Sequence, residues 1–205
     1  MSPIRTRRNI AALTALGACL AVLPGAAASA TGTGDDSAGR RGARAVVRNV
    51  SGTVLGTIEF RPVRGKLAIG GRLSGLAPGF HGFHVHAVGV CDPAATDPTG
   101  TVVPFLSAGG HLNPGGTTHG HHAGDLPVLY VAGDGGALTV SETGELTLAQ
   151  VFDADGSAVI IHALPDNYAN IPTRYSAGGV PGPDAATLAT GDSGGRVACG
   201  VVTRS

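Results

Sequence analysis

From residue 44 to its end the chain is a series of short apolar alternations, each closed by a turn. RAVVRNV, TVLGTIEF and KLAIGGRL come first, with Ser51-Gly52 and Arg64-Gly65 between them. GFHVHAV is a fourth stretch. LPVLYVA, ALTVS, ELTLAQV and AVIIHAL follow, separated by Gly133-Asp134-Gly135-Gly136, Thr143-Gly144 and Asp155-Gly156, and RVACGVV closes the chain. Period-2 alternation bounded by turn residues reads as β-strand. Glycine supplies 34 of the 205 residues, too many for long helices, because a residue without Cβ gives up the most backbone freedom on becoming helical. No strand-helix alternation and no internal repeat appears. About eight strands of this kind read as one all-β domain, a barrel or sandwich. Two stretches rich in Gly, Pro and polar residues, 89–124 and 165–195, are too long to be idle connections and are expected to carry function.

The first 43 residues follow different rules. Arg5, Arg7 and Arg8 precede an apolar run at 9–23, too short to span a bilayer, which Pro24-Gly25 interrupts. AAASA ends at Ala30 and offers a small-residue cleavage site, so residues 1–30 read as a signal peptide. TRRNIAA partly resembles a twin-arginine export signal, and LGAC resembles a lipoprotein signal that would lipidate Cys19. Residues 31–43, TGTGDDSAGRRGA, read as a disordered linker, which leaves 44–205 for the folded domain.

Removal of residues 1–30 takes away three arginines and no acid, leaving eleven basic against fourteen acidic residues. A net acidic chain without a basic run argues against a nucleic-acid partner. Two cysteines remain, Cys91 and Cys199. An exported pair reads as one disulfide rather than two free thiols.

All eight histidines lie between 81 and 162, which makes a metal site the first hypothesis. On a strand, His84 and His86 share one face, while Phe83, Val85 and Ala87 share the other and form the core face. Such a pair can place two imidazoles on one metal, although alone it is more often two surface histidines. If the strand runs straight through Gly82, His81 falls on the opposite face and reads as a structural histidine. His162 ends AVIIHA just before a long loop and can join the pair if the strands are neighbours. GGHLNPGGTTHGHHAGD gathers His111, His119, His121, His122 and Asp125 on a glycine-rich loop, a density that suits a tetrahedral nitrogen and oxygen site for zinc.

GLAPGFHGFHVHAVGVC, GGHLNP, HAGDLP, IIHALPDN and GDSGGRVACGV, in that order, resemble the copper/zinc superoxide dismutases from residue 44 to 204. HALPDNYANIPTRY is most similar to exported bacterial, actinobacterial-like members. The resemblance implies an eight-stranded Greek-key barrel that disproportionates superoxide. It implies copper on His84, His86, His111 and His162, and zinc on His111, His119, His122 and Asp125, with His111 bridging. It also implies Asp166 tying His84 to His119 from behind, Arg196 beside the open copper position, and Cys91 bonded to Cys199. Arg196 and the proton-carrying His111 are then the catalytic pair, and Arg174 is a weaker candidate for guiding the anion. The implied setting is a secreted, cell-surface or periplasm-like compartment, as monomer or homodimer, with no membrane span.

One departure stands out. The family sets its second and third zinc histidines well apart, whereas His119 and His122 are separated by only two residues. His121 is therefore a competing ligand, and a copper-only dismutase is a variant of the reading. A non-catalytic exported copper-binding protein on the same barrel is the alternative from another functional class.

Overall fold

A computed structural model describes residues 42–205. The signal peptide, Cys19 and all but the end of the proposed linker lie outside them. Ala43, assigned by composition to the linker, is instead the first residue of a strand: it is buried and pairs with both Phe60 and Arg204.

The strands are β1 (Ala43–Asn49), β2 (Val54–Val63), β3 (Lys66–Leu73), β4 (Gly79–His81), β5 (Phe83–His86), β6 (Leu129–Val131), β7 (Ala137–Thr143), β8 (Ala158–His162), β9 (Ser176–Ala177), β10 (Val180–Pro181) and β11 (Arg196–Arg204). Nine of them form one antiparallel sheet in the order β4-β6-β7-β3-β2-β1-β11-β8-β5, and β9 and β10 make a separate ribbon. β4 and β5 sit at opposite ends of that order yet are consecutive in the chain, so the sheet curls into a barrel whose ends meet at Gly82. The all-β expectation holds, with two differences of detail.

The strand in GFHVHAV covers only Phe83–His86 and does not run straight through Gly82 into the preceding Gly79–His81. The pairing changes at Gly82, β4 pairing with β6 and β5 with β8. Gly82 exchanges backbone bonds with His162 and Leu164. A Cβ there would fall 2.5 Å from the Ser193 side chain, so only glycine lets the crossing close. ELTLAQV is the second difference: Leu148–Val151 is one helical turn, α1. Thr147 and Gln150 cap each other reciprocally, a signal that was present in the sequence beside the apolar alternation. A second turn, α2, spans Thr187–Thr190.

The barrel interior holds the inward residues of the strands, among them Val47, Ile58, Phe60, Ile69, Phe83, Val85, Val159, Ile161 and Ala198. A smaller core lies outside it, where Ala158, Ile160 and Cys199 meet Phe105 and Ala108 of the first long loop. Cys91 and Cys199 are bonded across this core, as the cysteine count implies. A bond between cysteines 108 residues apart removes unfolded-chain entropy corresponding to about 4–5 kcal/mol. It anchors the loop to β11.

Candidate metal centre

Alternation along β5 sends Phe83 and Val85 into the barrel and His84 and His86 outward, toward the loop that covers this end. β8 lies beside β5 with His84 opposite Ile160, and β11 lies beside β8 with Arg196 opposite His162. Three histidines and the arginine thus come from three adjacent strands. The loop supplies the rest by hydrogen-bonding to β5 at two places. Leu112 N donates to Val85 O at 2.8 Å, and Val85 N donates to Gly124 O at 2.8 Å. These contacts set His111 across from His86 and Asp125 across from His84. Gly124 permits the approach, since a Cβ there would stand 2.2 Å from Val85 O.

Two donor sets result. His84, His86, His111 and His162 each bring a ring nitrogen within 4.8 Å of the others, and so do the donor atoms of His111, His119, His122 and Asp125. His111 belongs to both. The short His119–His122 spacing is no obstacle. Gly120 takes φ +89°, a left-handed value suited to glycine, and the turn brings the two rings to 5.4 Å between centroids. Asp125 Oδ2 accepts from the backbone N–H of Gly120 at 2.8 Å and of His122 at 3.0 Å, which closes the turn. His121 is exposed and joins neither set, so it does not replace a neighbour.

The remaining hydrogen bonds select which nitrogen each ring presents. His86 Nδ1 lies 2.9 Å from Gly109 O and His162 Nδ1 3.0 Å from Gly194 O, leaving both Nε2 atoms facing inward, 3.3 Å apart. His84 Nε2 lies 2.6 Å from Asp166 Oδ2 and His119 Nε2 2.8 Å from Asp166 Oδ1. Asp166 therefore ties one ring of each set from behind. The Nδ1 atoms of His84 and His119 are buried without a hydrogen-bond partner. His119 Nδ1 is 3.3 Å from Asp125 Oδ2 but poorly aligned for a bond. His111 Nδ1 is 2.9 Å from Asp125 Oδ1, so its Nε2 remains for the four-imidazole set.

Orphaned buried nitrogens are costly unless a ligand takes them, and one metal ion in each set accounts for them. Four imidazoles suit copper, and three imidazoles with a carboxylate suit tetrahedral zinc. Burial pushes His84 down to about 4 despite its bond to Asp166, His162 down to about 3, and His86 well below its ordinary value. These rings are neutral at neutral pH and ready to bind. Burial also opposes a charged His119, but the neighbouring carboxylates of Asp125 and Asp166 outweigh that and hold it up at about 9. Asp125 and Asp166 are likewise buried, and their histidine bonds hold both well below the usual carboxylate range.

His86, Gly110, His111, His162 and Arg196 line a cavity of about 520 Å3 together with Ala189, Thr190, Asp192 and Gly194. The Arg196 guanidinium donates to Phe105 O and, at 2.5 Å, to Gly109 O. Gly109 O thus serves both Arg196 and His86.

A family model described as copper/zinc superoxide dismutase matches residues 54–202. The chain belongs to the copper/zinc superoxide dismutase family. A Cu-Zn superoxide dismutase of Mycobacterium tuberculosis (strain ATCC 25618 / H37Rv) is 42% identical over 178 residues, 84% of this chain and 74% of that one. One from Photobacterium leiognathi is 36% identical over 159 residues, 74% of this chain and 80% of that one. Among solved structures, the Cu/Zn superoxide dismutase from Brucella abortus matches with TM-score 0.59 and 31% identity, covering 77% of this chain and 97% of its own. A SOD-like protein from Bacillus subtilis matches with TM-score 0.58 and 32% identity, covering 78% and 97%.

Against the sequence reading, the structure brings together every residue of both proposed ligand sets, with Asp166 between them. His81 stays apart, as expected, for a different reason than strand parity. Its Nδ1 lies 2.7 Å from His162 O and its Nε2 2.8 Å from Ala77 O, so it straps the chain beside the Gly82 crossing. Arg174 stacks on Tyr175, with its guanidinium carbon 4.8 Å from the ring centroid, and does not line the cavity. Sequence reasoning missed Gly109, which acts through a carbonyl and has no side-chain signature. It also missed Gly191, whose absent Cβ leaves room for the Asp166–His119 bond; a Cβ there would fall 2.0 Å from Asp166 Oδ1 and 2.2 Å from His119 Nε2. The GDSGG run marked a loop without indicating which glycine packs on the site.

Proposed function

We propose that this chain disproportionates superoxide, two superoxide anions and two protons giving dioxygen and hydrogen peroxide. The observation that carries the proposal is the sharing of His111 by two complete donor sets, one of which opens on a cavity lined by an arginine. In this reading His84, His86, His111 and His162 hold copper, and His111, His119, His122 and Asp125 hold zinc. Bound copper supplies one-electron redox chemistry, which zinc alone cannot, and bound zinc fixes His111.

The chain's own residues do the rest. Arg196 offers the docking charge for a small anion, because a guanidinium keeps its charge and presents a planar donor fork. The chain beyond residue 30 is net acidic, so attraction has to be local. Its anchors, the carbonyls of Phe105 and Gly109, belong to the loop that the disulfide ties to β11. His111 is oriented by Asp125 at Nδ1 and can carry a proton at Nε2 into the cavity. Asp166 keeps the rings of His84 and His119 in register.

A disulfide between Cys91 and Cys199 supports export, since such bonds persist in oxidising compartments. The export pattern in residues 1–30 supports the same reading. Metal analysis and a superoxide assay on one purified sample test the function. The expected result is one copper and one zinc per chain with superoxide consumption. Bound copper without superoxide consumption would favour a copper-binding protein instead.

A further inference from the structure

PDNYAN contributes Asp166 to the metal centre, but the neighbouring Tyr168 has no part in the function described above. It is an unusual residue. Its φ is +56° and that of Ala169 is +54°, two consecutive left-handed residues that both carry a Cβ. A bulky side chain rarely adopts that conformation, and it persists only where the surroundings over-determine it. The surroundings of Tyr168 are elements of the zinc half. Its backbone N–H donates to Asp166 Oδ1 at 2.7 Å, the same oxygen that meets His119 Nε2 at 2.8 Å. Its carbonyl backs the turn carrying His119 and His122: a Cβ on Gly120 would fall 2.8 Å from Tyr168 O. Its phenol oxygen accepts from Val128 N at 2.8 Å, three residues beyond Asp125. None of these contacts reaches β5 or β8 directly.

We propose that Tyr168 is a positioning residue for zinc, holding the Asp166 carboxylate, the 119–122 turn and the segment after Asp125 in one arrangement. The proposal rests on the zinc assignment made above. It explains how histidines only three positions apart are presented together on an exposed loop. The turn leans on a rigid neighbour, and the strain at Tyr168 is stored where it can be released only by moving that neighbour. Three of the four imidazoles in the other set stand on β5 and β8, and of these only His84 meets Asp166, so that set leans on Tyr168 less.

The test uses the full mature chain in metal-free form, with Tyr168→Phe, which removes only the phenol oxygen, and Tyr168→Ala, which also removes the ring. Zinc and copper affinities are measured by chelator competition, the visible spectrum of the cobalt-substituted zinc site is recorded, and the metal-free proteins are melted. Tyr168→Phe is expected to weaken zinc several-fold and Tyr168→Ala by about tenfold, the low end for residues behind a metal ligand. The cobalt spectrum should change in both, while copper affinity stays within about twofold, well short of that range. Unchanged zinc affinity and cobalt spectrum in Tyr168→Phe would overturn the proposal. A parallel loss of zinc, copper and melting temperature would overturn it too, by showing a general structural role. A wild-type chain that takes up no zinc overturns the zinc assignment itself, separately from either variant result.

Discussion

The two halves of the metal centre are built by different means. His84, His86 and His162 stand on β5 and β8, neighbouring strands whose ladder fixes their separation. His119, His122 and Asp125 stand on a loop and rely on a left-handed glycine, backbone bonds to one carboxylate and outside support from Asp166, Gly191 and Tyr168. Their electrostatics differ as well. Burial keeps the strand-borne rings neutral, whereas His119 and its two carboxylates form a charged network in the metal-free chain. A sheet makes a ligand pair robust through periodicity. A loop makes one through tertiary contacts, each a separate point of failure.

The contrast can be broken or sharpened by experiment. The largest effect is expected from His86→Ala, which removes a strand-borne member of the four-imidazole set. Copper should fall below stoichiometric and activity to background, with the barrel still folded by circular dichroism. Full copper retention in this variant would remove His86 from the set. Arg196→Ala should keep both metals, lower the rate roughly tenfold or more and flatten its dependence on ionic strength, as loss of electrostatic steering demands. Stopped-flow rates at several salt concentrations decide this.

On the loop side, Gly191→Ala forces a methyl group into the Asp166–His119 bond. Zinc affinity should drop by about tenfold or more while copper binding is largely kept; equal loss of both metals would mean the halves are not separable. The protonation contrast predicts different pH dependence. A metal needs a neutral imidazole. With His119 held at about 9, zinc must displace a proton through neutral pH, so zinc affinity should rise with pH and level off only above about 9. With His84 near 4 and His162 near 3, those rings add no such slope for copper above about pH 5. Chelator competition between pH 5.5 and 9.5 measures both slopes. The smallest effect belongs to His121→Ala. Its side chain is exposed and outside both sets, so zinc stoichiometry should not change.

These differences also govern what could be read from the residues. Alternation along FHVH separated His84 and His86 from Phe83 and Val85 without any structure, because the strand period is local. The cysteine pair could be argued from parity and compartment. The loop was harder. Three histidines within HGHH were equally good candidates on composition, and only the turn at Gly120 sends His119 and His122 inward and His121 out. ELTLAQV was assigned by alternation, yet the reciprocal cap between Thr147 and Gln150 makes it a helical turn. His81 kept its structural role although the strand it was assigned to is broken at Gly82.

The sequence by itself determined the all-β class, the outward imidazole pair, the cysteine pairing and the family, since periodicity, parity and ordered motifs are properties of the chain alone. The tertiary structure decided the crossing at Gly82, the nitrogen each histidine presents, the link through Asp166 and the seating of Arg196 on two loop carbonyls. Each of these joins residues far apart in sequence through a hydrogen bond or a close approach, and such contacts exist only once the barrel has closed.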